Sequence, residues 1–146
     1  MKHHLARSAA AVVAMVACCS CASMRTTALR SEPEDHPIWG LWSWVSTGGG
    51  FFNHLHSDVE GTGHTAELRF SSNGEYARYI DGIQHEAGHY TIAREKTIYG
   101  DKNVIHFIAE SGKEERQVIM KLWGSDLSIS DGMHDGTGSS WKLVLE

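Results

Sequence analysis

Ile38–Phe52 reads IWGLWSWVSTGGGFF, and the assignment of this stretch decides the fold. Three tryptophans, Trp39, Trp42 and Trp44, fall within six residues; Gly40 stands two before Trp42, and Gly48, Gly49 and Gly50 come after. The pattern predicts a first strand over roughly Ile38–Ser46, then a loop over Thr47–Gly61 that holds Phe51-Phe52 and His54-Leu55-His56. The residues before this stretch read as targeting and tether, and those after it as short strands closing onto it.

Downstream the chain alternates and turns. Ala66, Leu68 and Phe70 face one way and Glu67 and Arg69 the other, the period-2 signature of a half-buried strand over Thr62–Ser71. Ser72-Asn73-Gly74 reads as a hairpin turn in which Asn-Gly supplies the positive φ, and Asp81-Gly82 as a second turn of the same chemistry. Further strands are expected at Glu75–Ile80, Ile83–Arg94, Thr97–Tyr99, Val104–Glu110, Arg116–Trp123, Leu127–Ser130 and Ser140–Leu145, with a turn at Gly100–Asn103. No helical stretch of comparable strength interrupts them. Such spacing predicts an all-β fold, an up-and-down antiparallel meander closing into a small barrel of about eight strands.

Bulk properties bound the function. The chain of 146 residues is one domain in size, and 41% apolar residues can build a core. Ile38–Glu146 carries 15 acidic and nine basic residues, net −6, which argues against nucleic acid. No apolar run of about 18 residues follows the start, so no spanning helix is expected.

The start carries the address. Lys2 and Arg7 precede the apolar run Ala9–Ala17, the form of a secretory signal over residues 1–17. All three cysteines, Cys18, Cys19 and Cys21, lie within four positions, so no disulfide framework spans the body. Met15-Val16-Ala17-Cys18 resembles the lipobox of bacterial lipoproteins, with methionine where leucine is commoner, and implies a lipid anchor on Cys18; Cys19 and Cys21 are alternatives. No aspartate comes directly after these cysteines, which by that resemblance implies an outer-membrane lipoprotein facing the periplasm or the cell surface. Residues 18–37 are small, polar and unpatterned, with Pro33 and Pro37, and read as a flexible linker to the domain at residues 38–146.

Gly40-x-Trp42 on the first strand, followed by AELRFSSNGEY, DG, AGHYTI and DLSISDG with a closing aromatic strand, resembles the lipocalin-like domain of small bacterial lipoproteins. The resemblance implies a barrel with the Trp42 ring closing one end, no catalysis and no cofactor. Together with strand alternation, it places Trp42, Phe52, Phe70, Tyr76, Arg78 and Tyr90 as the lining of a ligand pocket. Arg78 shares a face with Tyr76 and Ile80. If inward, it needs a partner, either an internal carboxylate such as Glu86 or the head of an acidic ligand.

His85-Glu86-Ala87-Gly88-His89 matches H-E-x-x-H, which on a helix binds zinc in metalloproteases. Here it comes after a hairpin turn and runs into Tyr90-Thr91-Ile92, and Gly88 would cost a short helix about 1 kcal/mol. On a strand, His85 and His89 stand about 13 Å apart, too far for one metal. His54, His56 and His64 with Asp58 or Glu60 form a weaker metal candidate, read as loop residues. No nucleophile elbow, phosphate loop or paired-carboxylate spacing is present. The expected function is therefore that of a non-catalytic envelope lipoprotein, held by a lipid anchor in the membrane, that binds or senses a small apolar or acidic ligand. The alternative is a structural or interaction lipoprotein with a filled barrel, and behind it a histidine-based metal protein or zinc protease.

Overall fold

The computed structural model describes residues 37–50 and 54–145. The expected signal at residues 1–17, residues 18–36 of the expected linker with Cys18, and Phe52 lie outside the described residues. Nine strands form one antiparallel sheet: β1 (Gly40–Gly49), β2 (Leu55–Asp58), β3 (Ala66–Phe70), β4 (Glu75–Ile80), β5 (Ile83–Thr97), β6 (Gly100–Ala109), β7 (Glu114–Trp123), β8 (Asp126–Ser130) and β9 (Thr137–Leu143). Each strand from β3 to β9 pairs with the next, and β9 returns to β1, so eight strands close into a barrel and β2 is an extra.

β1 makes the closure because both its edges are used along its length. One edge pairs with β9 from Trp42 to Gly49; the other pairs with β3 at Gly40–Ser43 and with β2 at Ser46–Gly49. A bulge at Trp44/Ser46 turns Val45 outward, and bulges at Arg78/Tyr79 and Ile119/Lys121 add further bend. A two-versus-one mismatch raises local twist, which lets a short meander close.

The triple-glycine stretch departs from the loop expected over Thr47–Gly61. β1 continues to Gly49, and the chain returns as β2 and a single helical turn, α1 (Val59–Thr62). The glycine is needed where strands crowd: a Cβ on Gly49 would collide with the backbone of Gly136. Asp58 starts α1 by accepting from Gly61 N at 2.7 Å, an N-cap hidden among the polar residues of the stretch.

Two turns also differ. Ser72-Asn73-Gly74 is a three-residue loop, closed by Ser71 N to Glu75 O at 2.8 Å, with positive φ only at Gly74 (86°). Asn73 instead uses its side chain, accepting from Glu75 N at 3.2 Å. Asp81 (φ 51°) and Gly82 (φ 76°) do form the expected two-residue turn. The separate strand at Thr97–Tyr99 and the turn at Gly100–Asn103 do not exist. β5 and β6 form one long ribbon that turns at Ile98-Tyr99. Thr97 Oγ1 makes that apolar turn possible, accepting from Tyr99 N at 3.0 Å and donating to Gly100 O at 2.8 Å. The polar residues of the expected turn are strand residues with opposite charges across the ribbon, Asp101 against Lys96 and Lys102 against Glu95.

The ribbon outgrows the barrel and bends over its outside. Glu95 lies opposite Lys102, four residues from His106, yet its carboxylate meets the His106 ring and accepts from Arg116 Nε and Nη2 at 3.1 and 2.9 Å. Four residues of flat strand are about 13 Å, so the ribbon must curve towards that face. Its tip is held as well, since Tyr99 OH donates to Met133 O at 3.3 Å. The row Val104, Val118 and Ser130 is buried on this outer face, beside the loop after β8, where Gly132 packs against Val118.

Inside, alternation places one apolar cluster. Ile38, Trp42, Leu68, Phe70, Tyr76, Tyr90, Ile105, Phe107, Ile119, Leu127 and Ile129 pack together, with Leu122, Trp141 and Leu143 against them. Trp42 is fully buried, and its indole donates to Ile38 O at 2.7 Å, so the residues before β1 seal the end where the chain joins the barrel. That end, the base, holds the β3–β4 and β7–β8 turns and the end of β9. The opposite end, the rim, holds the β4–β5 and β6–β7 turns and the β8–β9 loop.

Candidate functional site

Strand alternation builds the site in the rim half of the interior. β4 turns Tyr76 and then Arg78 inward; their cross-strand neighbours on β5 are Gly88 and Glu86. β6 contributes Phe107, and Glu115 on β7 lies opposite it. Gly88 is small for a reason: a Cβ there would collide with Ile108 O, so β5 and β6 approach closely beside Tyr76.

Arg78 is the centre. Its guanidinium donates from Nη1 and Nη2 to the two Glu115 oxygens at 2.8 and 3.1 Å, a bidentate pair, and reaches Glu86 Oε1 at 3.1 Å. It lies 4.6 Å from the Phe107 ring centre and 5.6 Å from that of Tyr76. Tyr76 OH donates to Glu86 at 2.9 Å, and Gln117 Nε2 to Glu115 at 2.7 Å. Lys113 stands 3.6 Å from both carboxylates. Two cations thus meet two anions over an aromatic floor. The side chains of Arg78, Glu86 and Glu115 are 26%, 21% and 26% exposed, whereas Phe107 and Phe70 beneath them are sealed.

The electrostatics are those of a satisfied cluster. Burial, then the Glu86 carboxylate, pushes the Tyr76 hydroxyl up to about 12. Burial pulls the Arg78 guanidinium down, but Glu115 and Glu86 outweigh it and the net shift is upward. Burial pushes the Glu115 carboxyl up, and Arg78 with Gln117 more than offsets that, holding it below the usual range. No buried side-chain nitrogen or oxygen among the described residues lacks a partner.

Most of the sequence-predicted lining converges here. Phe70 meets Tyr90 edge-on at 4.8 Å and Phe107 at 5.9 Å, and Phe107 meets Tyr76 at 4.8 Å. Tyr90 OH donates to Ser71 O at 3.0 Å. Trp42, however, is a sealed core residue at the base, and Phe52 lies outside the described residues. Sequence reasoning missed Phe107, Glu115, Gln117 and Lys113. Glu115, Gln117 and Ile119 share the inward face of β7, but two polar residues before one apolar residue do not look like a core-facing series.

The H-E-x-x-H match lies on β5, as the turn before it predicted. His85 and His89 are exposed outside, while Glu86 points inward to Tyr76 and Arg78. In a zinc site the two histidines meet at one ion with the glutamate beside it, whereas here the histidines are about 13 Å apart along the strand and Glu86 is on the other face. Of the loop histidines, His56 pairs with Asp58 at 3.2 Å and His64 with Asp81 at 2.7 Å, as separate pairs. Among the described residues no three His, Cys, Asp or Glu side chains are arranged to hold a metal ion.

No protein-family model matches the chain, and neither the curated proteins nor the solved structures contain a significant match to it. The functional reading therefore rests on the barrel and its interior.

Proposed function

We propose that this chain is an envelope lipoprotein whose lipocalin-like barrel binds or senses a small apolar ligand and catalyses nothing. The observation that carries this is the rim-half cluster: an ion-paired polar collar, partly open to solvent, over a sealed floor of Phe70, Tyr76 and Phe107. Those rings are covered at rest, so an apolar body would reach them by parting the collar and displacing Arg78 from Phe107, while the collar hydrogen-bonds its head. An uncharged head group fits better than an acidic one. Arg78 already meets two carboxylates, and a third anion would have to displace one. Lipid on Cys18 would hold the domain at the outer membrane, since acyl chains contribute about 0.8 kcal/mol per buried CH₂.

A second reading has its own support. The interior has no unpartnered buried polar side chain among the described residues and a fully buried aromatic base, which suits a filled structural or interaction barrel. Native mass spectrometry of the purified full-length chain, incubated separately with a long-chain alcohol and the matching fatty acid, separates the two. The binding reading expects a one-to-one complex with the alcohol, stronger than with the acid. No retained ligand from folded protein would establish the filled barrel instead. Metabolic labelling with palmitate, lost in Cys18→Ser, tests the anchor.

A further inference from the structure

We propose that the base of the barrel is a bilayer-contacting surface, with Trp39, Trp123, Val144 and Leu145 seated in the lipid interface. The proposal rests on the envelope-anchored reading and adds which end of the domain faces the membrane.

Two of the five tryptophans are exposed, Trp39 at 53% and Trp123 at 61%, and Leu145 is 81% exposed. Hydrogen bonds place them at one end. Val144 N donates to Leu41 O at 2.8 Å, beside Trp39, and Leu143 N donates to Ser125 O at 2.9 Å, in the turn directly after Trp123. Between the start of β1, the end of β3 and the tail lies an open groove of about 430 Å³, lined by Trp39, Leu41, Phe70 and Leu143–Leu145. Exposed tryptophan over an aliphatic patch is the composition of a membrane interface.

Charge separates this occupant from a protein partner. The base turns, Ser71–Gly74 and Gly124-Ser125, carry no charged residue. Beside them stand Arg69, Lys121 and Lys142 against Glu75 and Asp126, a net positive charge that suits phosphate headgroups: Arg69 lines the groove, and Lys121 and Lys142 share the single carboxylate of Asp126. The rim connections carry Asp81, Glu110, Asp131 and Asp135 against Lys113. An acidic domain approaching an anionic surface keeps its rim away and presents its base. Pro37, where the described chain begins, stands at this end, directly before Ile38, whose carbonyl accepts from Trp42.

The test uses the full-length protein on vesicles of phosphatidylethanolamine and phosphatidylglycerol with brominated acyl chains. Bromine quenches tryptophan only at close range. Part of the emission should be lost on brominated relative to unbrominated vesicles, and that loss should vanish in the Trp39→Gln/Trp123→Gln double variant. Both rings are exposed, so the variant should keep the wild-type circular dichroism; if it does not, the single variants carry the measurement. Palmitate labelling of the same preparation keeps the two readings apart. Labelled protein without bromine quenching overturns the base-down orientation alone. Quenching without label leaves the orientation standing and removes the anchor. Shielding of both tryptophans from aqueous iodide without bromine quenching would assign the patch to a protein partner and overturn the proposal.

Discussion

At the base of the barrel, the connections Ser71–Gly74 and Gly124-Ser125 are uncharged, and the interior behind them is Ile38, Trp42, Phe70 and Leu127, sealed from solvent. At the rim, the connections carry four acidic residues and Lys113, and the interior behind them is Arg78, Glu86, Glu115 and Gln117. The same strands build both. β4 goes from Tyr76 to Arg78, β5 from Glu86 through Gly88 to Tyr90, and β7 from Glu115 through Gln117 to Ile119 along one inward face. The barrel is thus closed by hydrophobic burial at one end and by ion pairs at the other. Burial of rings is insensitive to pH, whereas ion pairs are not, so the two ends should respond differently to substitution and to acid.

The largest effect is expected at the base. Trp42→Ala should cost about 3–5 kcal/mol in urea unfolding, because it opens a cavity beneath the chain's entry into β1 and removes the indole that caps Ile38 O. A loss no greater than that of a rim substitution would break the contrast. Arg78→Ala should cost about 2 kcal/mol at pH 7, since Glu86 and Glu115 then keep only the more exposed Lys113 as a cation. The penalty should shrink towards about pH 4, where Glu115, no longer held below the usual carboxyl range by Arg78, takes up a proton; a pH-independent penalty would mean that packing on Phe107 dominates.

Acid should act on the ion-paired parts. Burial raises the Glu115 carboxyl, but Arg78 and Gln117 hold it below its ordinary value. Glu95 titrates low because of its hydrogen bonds to His106 and Arg116, and Asp126 because of those to Lys142 and Lys121. A carboxyl depressed in the folded state contributes stability that is complete above its unfolded value and lost as pH falls through the folded one. The melting temperature should therefore be level above about pH 5 and fall below about pH 4. A melting temperature that rises on acidification would exclude the network. The smallest effect is spectroscopic. One tyrosine should ionise at about 12, its ultraviolet signal absent in Tyr76→Phe. Because that value is raised above the unfolded one, stability is intact below about pH 10 and falls between about pH 10 and 12.

Period-2 alternation and turn chemistry pointed to the meander and to a barrel of about eight strands, though not to β2 or to the unbroken β5–β6 ribbon, because both signals are local properties of a few residues. Asp81-Gly82 was legible for that reason, and so was the strand reading of His85–His89. The same locality misreads Asp101-Lys102-Asn103, whose charges are explained only by Lys96 and Glu95 across the ribbon. It also stops β1 short at the glycines, whose need is set by Gly136 in a distant loop. Tyr76, Arg78 and Glu86 could be placed together from two adjacent strands. Glu115, 37 residues from Arg78, could not. Only closure of the sheet brings β7 across from β4, and only that closure decides that the interior changes from aromatic at the base to ion-paired at the rim.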